Sequence, residues 1–157
     1  MLEWYSNKYV SIFFDEIPCL GIRYILPSQT QEKKKSIKKY PFINKKPLKV
    51  RLKDNKKNKF YDFEIPKGYC FDGASVPRFF WRVIGPNSDN KFLVAAFIHD
   101  VLCENHHYVS FDRKFSTHVF NALLEASDVP AFKRFLMKNS VDIFQRFFCN
   151  WRKKEVG

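Results

Sequence analysis

The sequence predicts an α+β fold: a small N-terminal antiparallel β-sheet followed by a three-helix C-terminal half, in a single domain over residues 1–157. Three observations carry this expectation. Apolar residues alternate with polar ones before Pro66, the period of a strand with one dry face. After Asn90 they recur at three and four residues, the period of an amphipathic helix. And a chain of 157 residues with 45% hydrophobic and 18% aromatic content is large enough to bury a core.

Tyr9–Phe14 and Leu20–Leu26 read as strands, with Asp15-Glu16-Ile17-Pro18 between them, and predict a first hairpin. The stretch from Pro27 to Lys46 is polar, lysine-rich and interrupted by proline, so it reads as a basic loop insertion over about 27–46. Leu48, Val50 and Leu52 alternate with Lys49, Arg51 and Lys53. Asp54–Asn58 is the turn, and Phe60–Ile65 returns with Tyr61, Phe63 and Ile65 on one face. Ser88 or Asp89 caps a first C-terminal helix running to about Cys103 or Glu104. Ser110 caps a second over about Phe111 to Ala126, with Phe111, Phe115, Val119, Ala122 and Ala126 on one stripe. Asp128, with Pro130 just inside, marks the start of a third. Its Phe132, Phe135, Leu136, Ile143 and Phe147 fall at helical spacing and are expected in the core.

The net charge of +12 is local. Residues 32–59 hold thirteen Lys and Arg against Glu32 and Asp54, which supplies +11 and leaves the remainder at +1. Within the insertion, Lys33, Lys34, Lys35, Lys38, Lys39, Lys45 and Lys46 form the candidate partner-binding set. Such a segment suits DNA, anionic lipid or an acidic protein surface. Lysine outnumbers arginine there and few aromatics interleave, which disfavours base reading. Deleting Ser28–Lys46 is expected to leave the domain folded. No apolar run is long enough to span a membrane, and the first residues do not read as a secretory signal. Cys19, Cys70, Cys103 and Cys149 form no C-x-x-C pair and are expected to be free thiols.

One stretch departs from this pattern: "CFDGASVPRFFW", Cys70 to Trp81. Gly73 permits a backbone angle or a close approach that a side chain would block. Ala74 and Ser75 keep that approach tight, and Pro77 and Trp81 anchor the exit. These five form the expected structural turn, and Asp72 is its carboxylate. Downstream, "NKFLVAAFIHDVLCEN" places Phe92, Ala95, Ala96, His99 and Cys103 on one helical face, so His99 points at the core and Asp100 about 100° away. Read structurally, this is a core histidine beside a surface aspartate. Read chemically, a bend lying over the helix would bring Asp72, His99 and Asp100 together. Two carboxylates with backbone carbonyls suit calcium, and a neutral imidazole beside it can serve as general base. Ser75 lacks a G-x-S-x-G setting, and His99 with Cys103, His106 and His107 makes a weaker case for zinc.

"PKGYCFDGASVPRFFW", "AAFIHDVLCEN" and "DRKFSTHVFNALLEA" together resemble a family of domains of unknown function common in tailed phages and prophages. The resemblance runs over about Pro66 to Ala126. That family is in turn similar to bacterial secreted phospholipase A2 proteins. This second resemblance implies His99 and Asp100 as catalytic residues, with Asp72 and Asp100 as calcium ligands. Two positions depart from the phage pattern: Cys103 stands where it has tyrosine, and Thr117 where it has the aspartate of R-x-x-A-D. A threonine brings no charge to steady a protonated histidine, and loss of the equivalent carboxylate in serine proteases costs roughly 10⁴ in rate.

The resemblance and the lost carboxylate together point to a structural or assembly component of a tailed-phage particle, in the tail, neck or connector region, with a degenerate phospholipase-like site. Its expected partners are other virion proteins, with DNA or anionic lipid meeting the basic insertion. It would be made in the host cytoplasm and incorporated in the virion, and no cofactor is expected. The alternative is a calcium-dependent phospholipase-like esterase acting on the host envelope; a small nucleic-acid-binding module is a third reading.

Overall fold

Seven strands and four helices make up the described part of the chain, which in this computed structural model comprises residues 1–71, 93–105 and 113–148. The strands are β1 (Leu2–Ser6), β2 (Val10–Phe14), β3 (Leu20–Ile22), β4 (Phe42–Asn44), β5 (Leu48–Asp54), β6 (Lys59–Ile65) and β7 (Cys70–Phe71). The helices are α1 (Gln31–Lys39), α2 (Leu93–Asn105), α3 (Arg113–Ala126) and α4 (Ala131–Phe148). The class is α+β: antiparallel strands lead, and α2 to α4 form the helical C-terminal half.

The larger sheet has the order β1-β2-β5-β6, antiparallel throughout. Alternation sets its faces. Val10, Ile12 and Phe14 of β2 and Leu48, Val50 and Leu52 of β5 are all buried, with Ile12 opposite Leu52 and Phe14 opposite Val50. Tyr61, Phe63 and Ile65 of β6 extend this face, as the sequence predicts, and α3 covers it, with Phe115 5.3 Å from Tyr61. On the opposite face Arg51 pairs with Asp62 at 2.7 Å, both side chains exposed.

The expected first hairpin is corrected. Val10–Phe14 pairs with Leu2–Ser6, which the sequence reading left unassigned, and not with Leu20–Ile22. Asn7 explains the choice: its Oδ1 accepts from the backbone N–H of Tyr9 and Val10, both at 2.9 Å, and so builds the reversal one turn earlier. Leu20–Ile22 instead joins a second sheet of order β3-β4-β7.

The loop over about 27–46 is corrected too. It contains α1 and β4, and β4 is the central strand of the second sheet. Thr30 caps α1, its Oγ1 accepting from the Lys33 amide at 3.2 Å. Glu32 lies in the first turn, and Lys38 and Lys39 in the last, where each charge complements the helix dipole. Ile37 is the one buried anchor of α1. Deleting Ser28–Lys46 would therefore remove a sheet's middle strand rather than a tether. Thr30→Ala is expected to cost α1 about 1 kcal/mol, read as faster amide exchange over residues 33–39 with exchange in β5 unchanged.

Asp128 also has another role than the predicted one. It sits at φ 57, closing α3: the Val129 amide donates to the Leu124 carbonyl and the Asp128 amide to that of Glu125. Pro130 provides the first carbonyl acceptor of α4, for the Arg134 amide. Of the stripe expected in the core from α4, Phe132 is 72%, Phe135 62% and Ile143 56% exposed, Leu136 packs against the core as expected, and Met137 enters it; the Phe147 side chain lies outside the described residues. Of the cysteines, Cys19 and Cys70 are free thiols, as expected. Cys103 is disulfide-bonded, which corrects the expectation of free thiols throughout.

Candidate functional site

The approach to the candidate site is built by β7. Gly68, at φ 89, turns the chain after Pro66, and its amide donates to the carbonyl of Asn44. The fully buried Asn44 side chain donates back to the Pro66 carbonyl at 3.0 Å, which locks β4 to this turn. Phe71 then enters the core, 5.4 Å from Phe42 and 5.0 Å from Phe97 of α2, with Tyr69 6.2 Å from Phe97. The residue immediately before Asp72 is thus pinned against α2, two positions from His99. Asp72 itself, with Gly73, Ala74, Ser75, Pro77 and Trp81, lies outside the described residues.

Helix α2 is buried on every side. Ala95, Ala96, Phe97, Ile98 and His99 have no exposed surface, and Asp100, Val101 and Leu102 have almost none. An all-round apolar helix is the mark of a central element. His99 faces the core, as its spacing predicts, with its ring 5.3 Å from that of Phe120 on α3, edge to face. Desolvation pushes its imidazole down from 6.5 to about 3, so the ring is neutral at physiological pH. Asp100 is a correction to the surface-aspartate reading, because it is 4% exposed. A second layer, which the helix's own periodicity does not show, covers the other side of α2.

Across from α2, Ser116 and Thr117 of α3 are also buried. Ser116 lies one turn before Phe120. Thr117 Oγ1 donates to the Arg113 carbonyl at 3.1 Å, a bond within its own helix. The position where the phage pattern carries a carboxylate therefore holds a neutral hydroxyl whose proton is already engaged. His118, the next residue, stacks on Tyr9 at 4.3 Å with the rings 12° apart.

Among the described residues no three His, Cys, Asp or Glu side chains gather to hold a metal ion. Asp100 contributes one carboxylate, whereas calcium takes six to eight oxygens. Asp72, the other calcium ligand that the phospholipase resemblance implies, lies outside the described residues. The predicted partner-binding lysines are a separate group: Lys33, Lys34, Lys35, Lys38 and Lys39 lie on α1, and Lys45 and Lys46 follow β4. All are exposed except Lys34, which is half-buried and whose ammonium donates to the Pro27 carbonyl at 3.3 Å.

Sequence reasoning missed a second concentration of polar residues. Arg113 forms an ion pair with Asp142 that ties α3 to α4. Beside it lies a cavity of about 200 Å³, lined also by Lys114, Thr117, His118, Lys138 and Asn139. Helical spacing would have placed Lys138 and Asp142 on one face of α4, but which helix they meet is a tertiary fact.

No helix among the described residues is long and apolar enough to cross a membrane. No solved structure matches the chain. An uncharacterised protein, y4jT of Sinorhizobium fredii (strain NBRC 101917 / NGR234), is 37% identical over 70 residues, which is 44% of this chain and 20% of that protein; the match thus spans about a fifth of that relative's length. The model of a family described as "Protein of unknown function (DUF1353)" matches residues 47–141, from β5 through most of α4 and including the His99-Asp100 pair. With more than half of its length matched, the chain belongs to the DUF1353 family.

Proposed function

We propose that this chain is a non-catalytic structural or assembly component of a tailed-phage particle, in which His99 and Asp100 survive as a packing element of a degenerate phospholipase-like site. The observation that carries the non-catalytic part is the state of His99. A general base must reach the proton it removes and is most effective with a pKa near the working pH. His99 has no exposed surface, packs on Phe120, and is held neutral to about pH 3. Thr117 adds to this, because it offers no charge to stabilise an imidazolium.

The phage context, with assembly in the tail, neck or connector region and other virion proteins as partners, rests on the resemblance of the D-G-A-S-V-P and A-A-F-I-H-D motifs. Synthesis in the host cytoplasm and incorporation in the virion belong to the same proposal. The α1 lysines are its candidate contact to a neighbouring subunit or to packaged DNA.

Two measurements test it. Mass spectrometry of purified particles should find the chain at a fixed copy number relative to the tail and neck proteins; its absence from particles would overturn the structural role. Incubation with phospholipid vesicles, with and without calcium, should release no fatty acid. Calcium-dependent release that His99→Ala abolishes would replace this reading with the esterase.

A further inference from the structure

Two surface features have no part in the proposed site, and they adjoin. The first is the apolar face of α4. Phe132, Phe135 and Ile143 are each more than half exposed, and helical spacing places them along one stripe with Asn139 between. The second is a cluster of three cations around Tyr9, drawn from three separate elements. Tyr9, in the β1–β2 turn, stacks on His118 of α3, and the ammonium groups of Lys8 and Lys56 lie 4.9 and 4.6 Å from its ring centroid. Lys56 comes from the β5–β6 turn. The two turns are joined by Asn55, whose side chain donates to the Asn7 carbonyl at 2.7 Å and whose amide donates to the Tyr9 carbonyl. Lys138 of α4 completes the cluster: Lys8 first, then Lys56 and Lys138, lower the pKa of the Tyr9 phenol.

The acids near these cations are committed elsewhere. Asp54 caps its own turn through the amides of Lys56 and Lys57, and Asp142 pairs with Arg113. Lys138 and Asn139 line the cavity between α3 and α4, and Asn139 also lies on the apolar stripe. Lys138 therefore sets the cationic cluster beside the stripe of its own helix.

We propose that α4 and the Tyr9 cluster form one docking surface for an anionic lipid bilayer, with Phe132, Phe135 and Ile143 entering the headgroup–acyl boundary and Lys8, Lys56 and Lys138 meeting lipid phosphates. Charge complementarity and the exposed stripe select this occupant together. A nucleic-acid backbone would satisfy the lysines and leave three large apolar side chains in water. A second copy placed face to face would bring like charges together beside the stripe. A membrane surface satisfies both, because interfacial helices present an apolar face flanked by cations and lie in the plane of the bilayer without crossing it. This inference does not depend on the particle or the esterase reading.

The test is co-sedimentation of the intact chain with vesicles of phosphatidylcholine alone and with about 30% phosphatidylglycerol, beside a double-stranded oligonucleotide and an oligomer measurement by light scattering. Binding is expected only to the anionic vesicles. The double variant Phe132→Ser/Phe135→Ser should weaken it by on the order of ten-fold or more. Lys56→Gln/Lys138→Gln should weaken it by roughly five-fold per lysine. The control Lys49→Gln/Lys67→Gln, at exposed positions that are not part of this surface, should bind like the parent. All these positions are exposed or line an open cleft, and unchanged urea midpoints verify folding. Equal binding to neutral vesicles, equal loss in the Lys49/Lys67 control, or oligonucleotide binding indifferent to the phenylalanine variants would each overturn the proposal. So would a dimer that the serine variants dissociate without any vesicle binding by the parent.

Discussion

Replacing Phe97 with alanine is expected to destabilise the protein by about 3–5 kcal/mol, a large part of the 5–15 kcal/mol or so that typically separates folded from unfolded chains. Phe97 is fully buried in α2, and its ring lies 5.0 Å from Phe71 of β7 and 6.2 Å from Tyr69. Phe71 in turn packs on Phe42 of β4. The substitution removes the ring through which α2 grips the second sheet, so lost burial and a residual cavity add. Urea unfolding reads the effect as a lower midpoint at unchanged slope. Phe60→Ala is the internal comparison: that ring is 53% exposed, and its loss should change stability by about 0.5 kcal/mol or less. Equal effects of the two substitutions would mean that α2 is not seated as described.

The second large effect is one of pH. In the unfolded chain the His99 imidazole takes up a proton near 6.5, whereas in the folded chain burial holds it neutral to about 3. Between those values the unfolded state binds the extra proton, so folding stability falls as pH falls. The slope is about 1.4 kcal/mol per pH unit for one proton. Above 6.5 both states are neutral at this site, and the contribution is constant. Carboxylates titrate in the lower part of the same window, so a comparison isolates the histidine. The stability advantage of the parent over His99→Gln should shrink by about 2–3 kcal/mol between pH 6.5 and 4.5. A difference that stays flat across this range would show that His99 carries no such penalty.

Where local pattern and tertiary environment agree, the sequence was a sufficient guide. β5 and β6 follow from strict alternation, and Phe115, Val119 and Ala122 of α3 follow from helical spacing against that sheet. Burial of His99 was legible for the same reason. What escaped depends on distant partners. The lysines of α1 hide a capped helix, since its only buried residue is Ile37. The strands β3, β4 and β7 are two or three residues long, too short for a period to appear, and their pairing joins Leu20 to Asn44 and Phe42 to Phe71. Asp100 was misplaced because α2 is covered on both sides.

The stripe on α4 misled in the opposite direction. Helical spacing shows which residues share a face, not whether anything covers it, and here Met137, on another face, enters the core. A misreading of this kind is informative, because exposed aromatics beside a cationic cluster call for a partner.

The proposed role makes His99 a neutral, sealed packing residue and not a working base. NMR observation of its ring through a pH titration tests this most directly. Such a ring gives a His99 signal that stays in the neutral form from about pH 8 down to about 4.5, well below the ordinary histidine midpoint near 6.5. A His99 signal that titrates with a midpoint between about 6 and 7 would contradict it, and would return the His99-Asp100 pair to the list of catalytic sites.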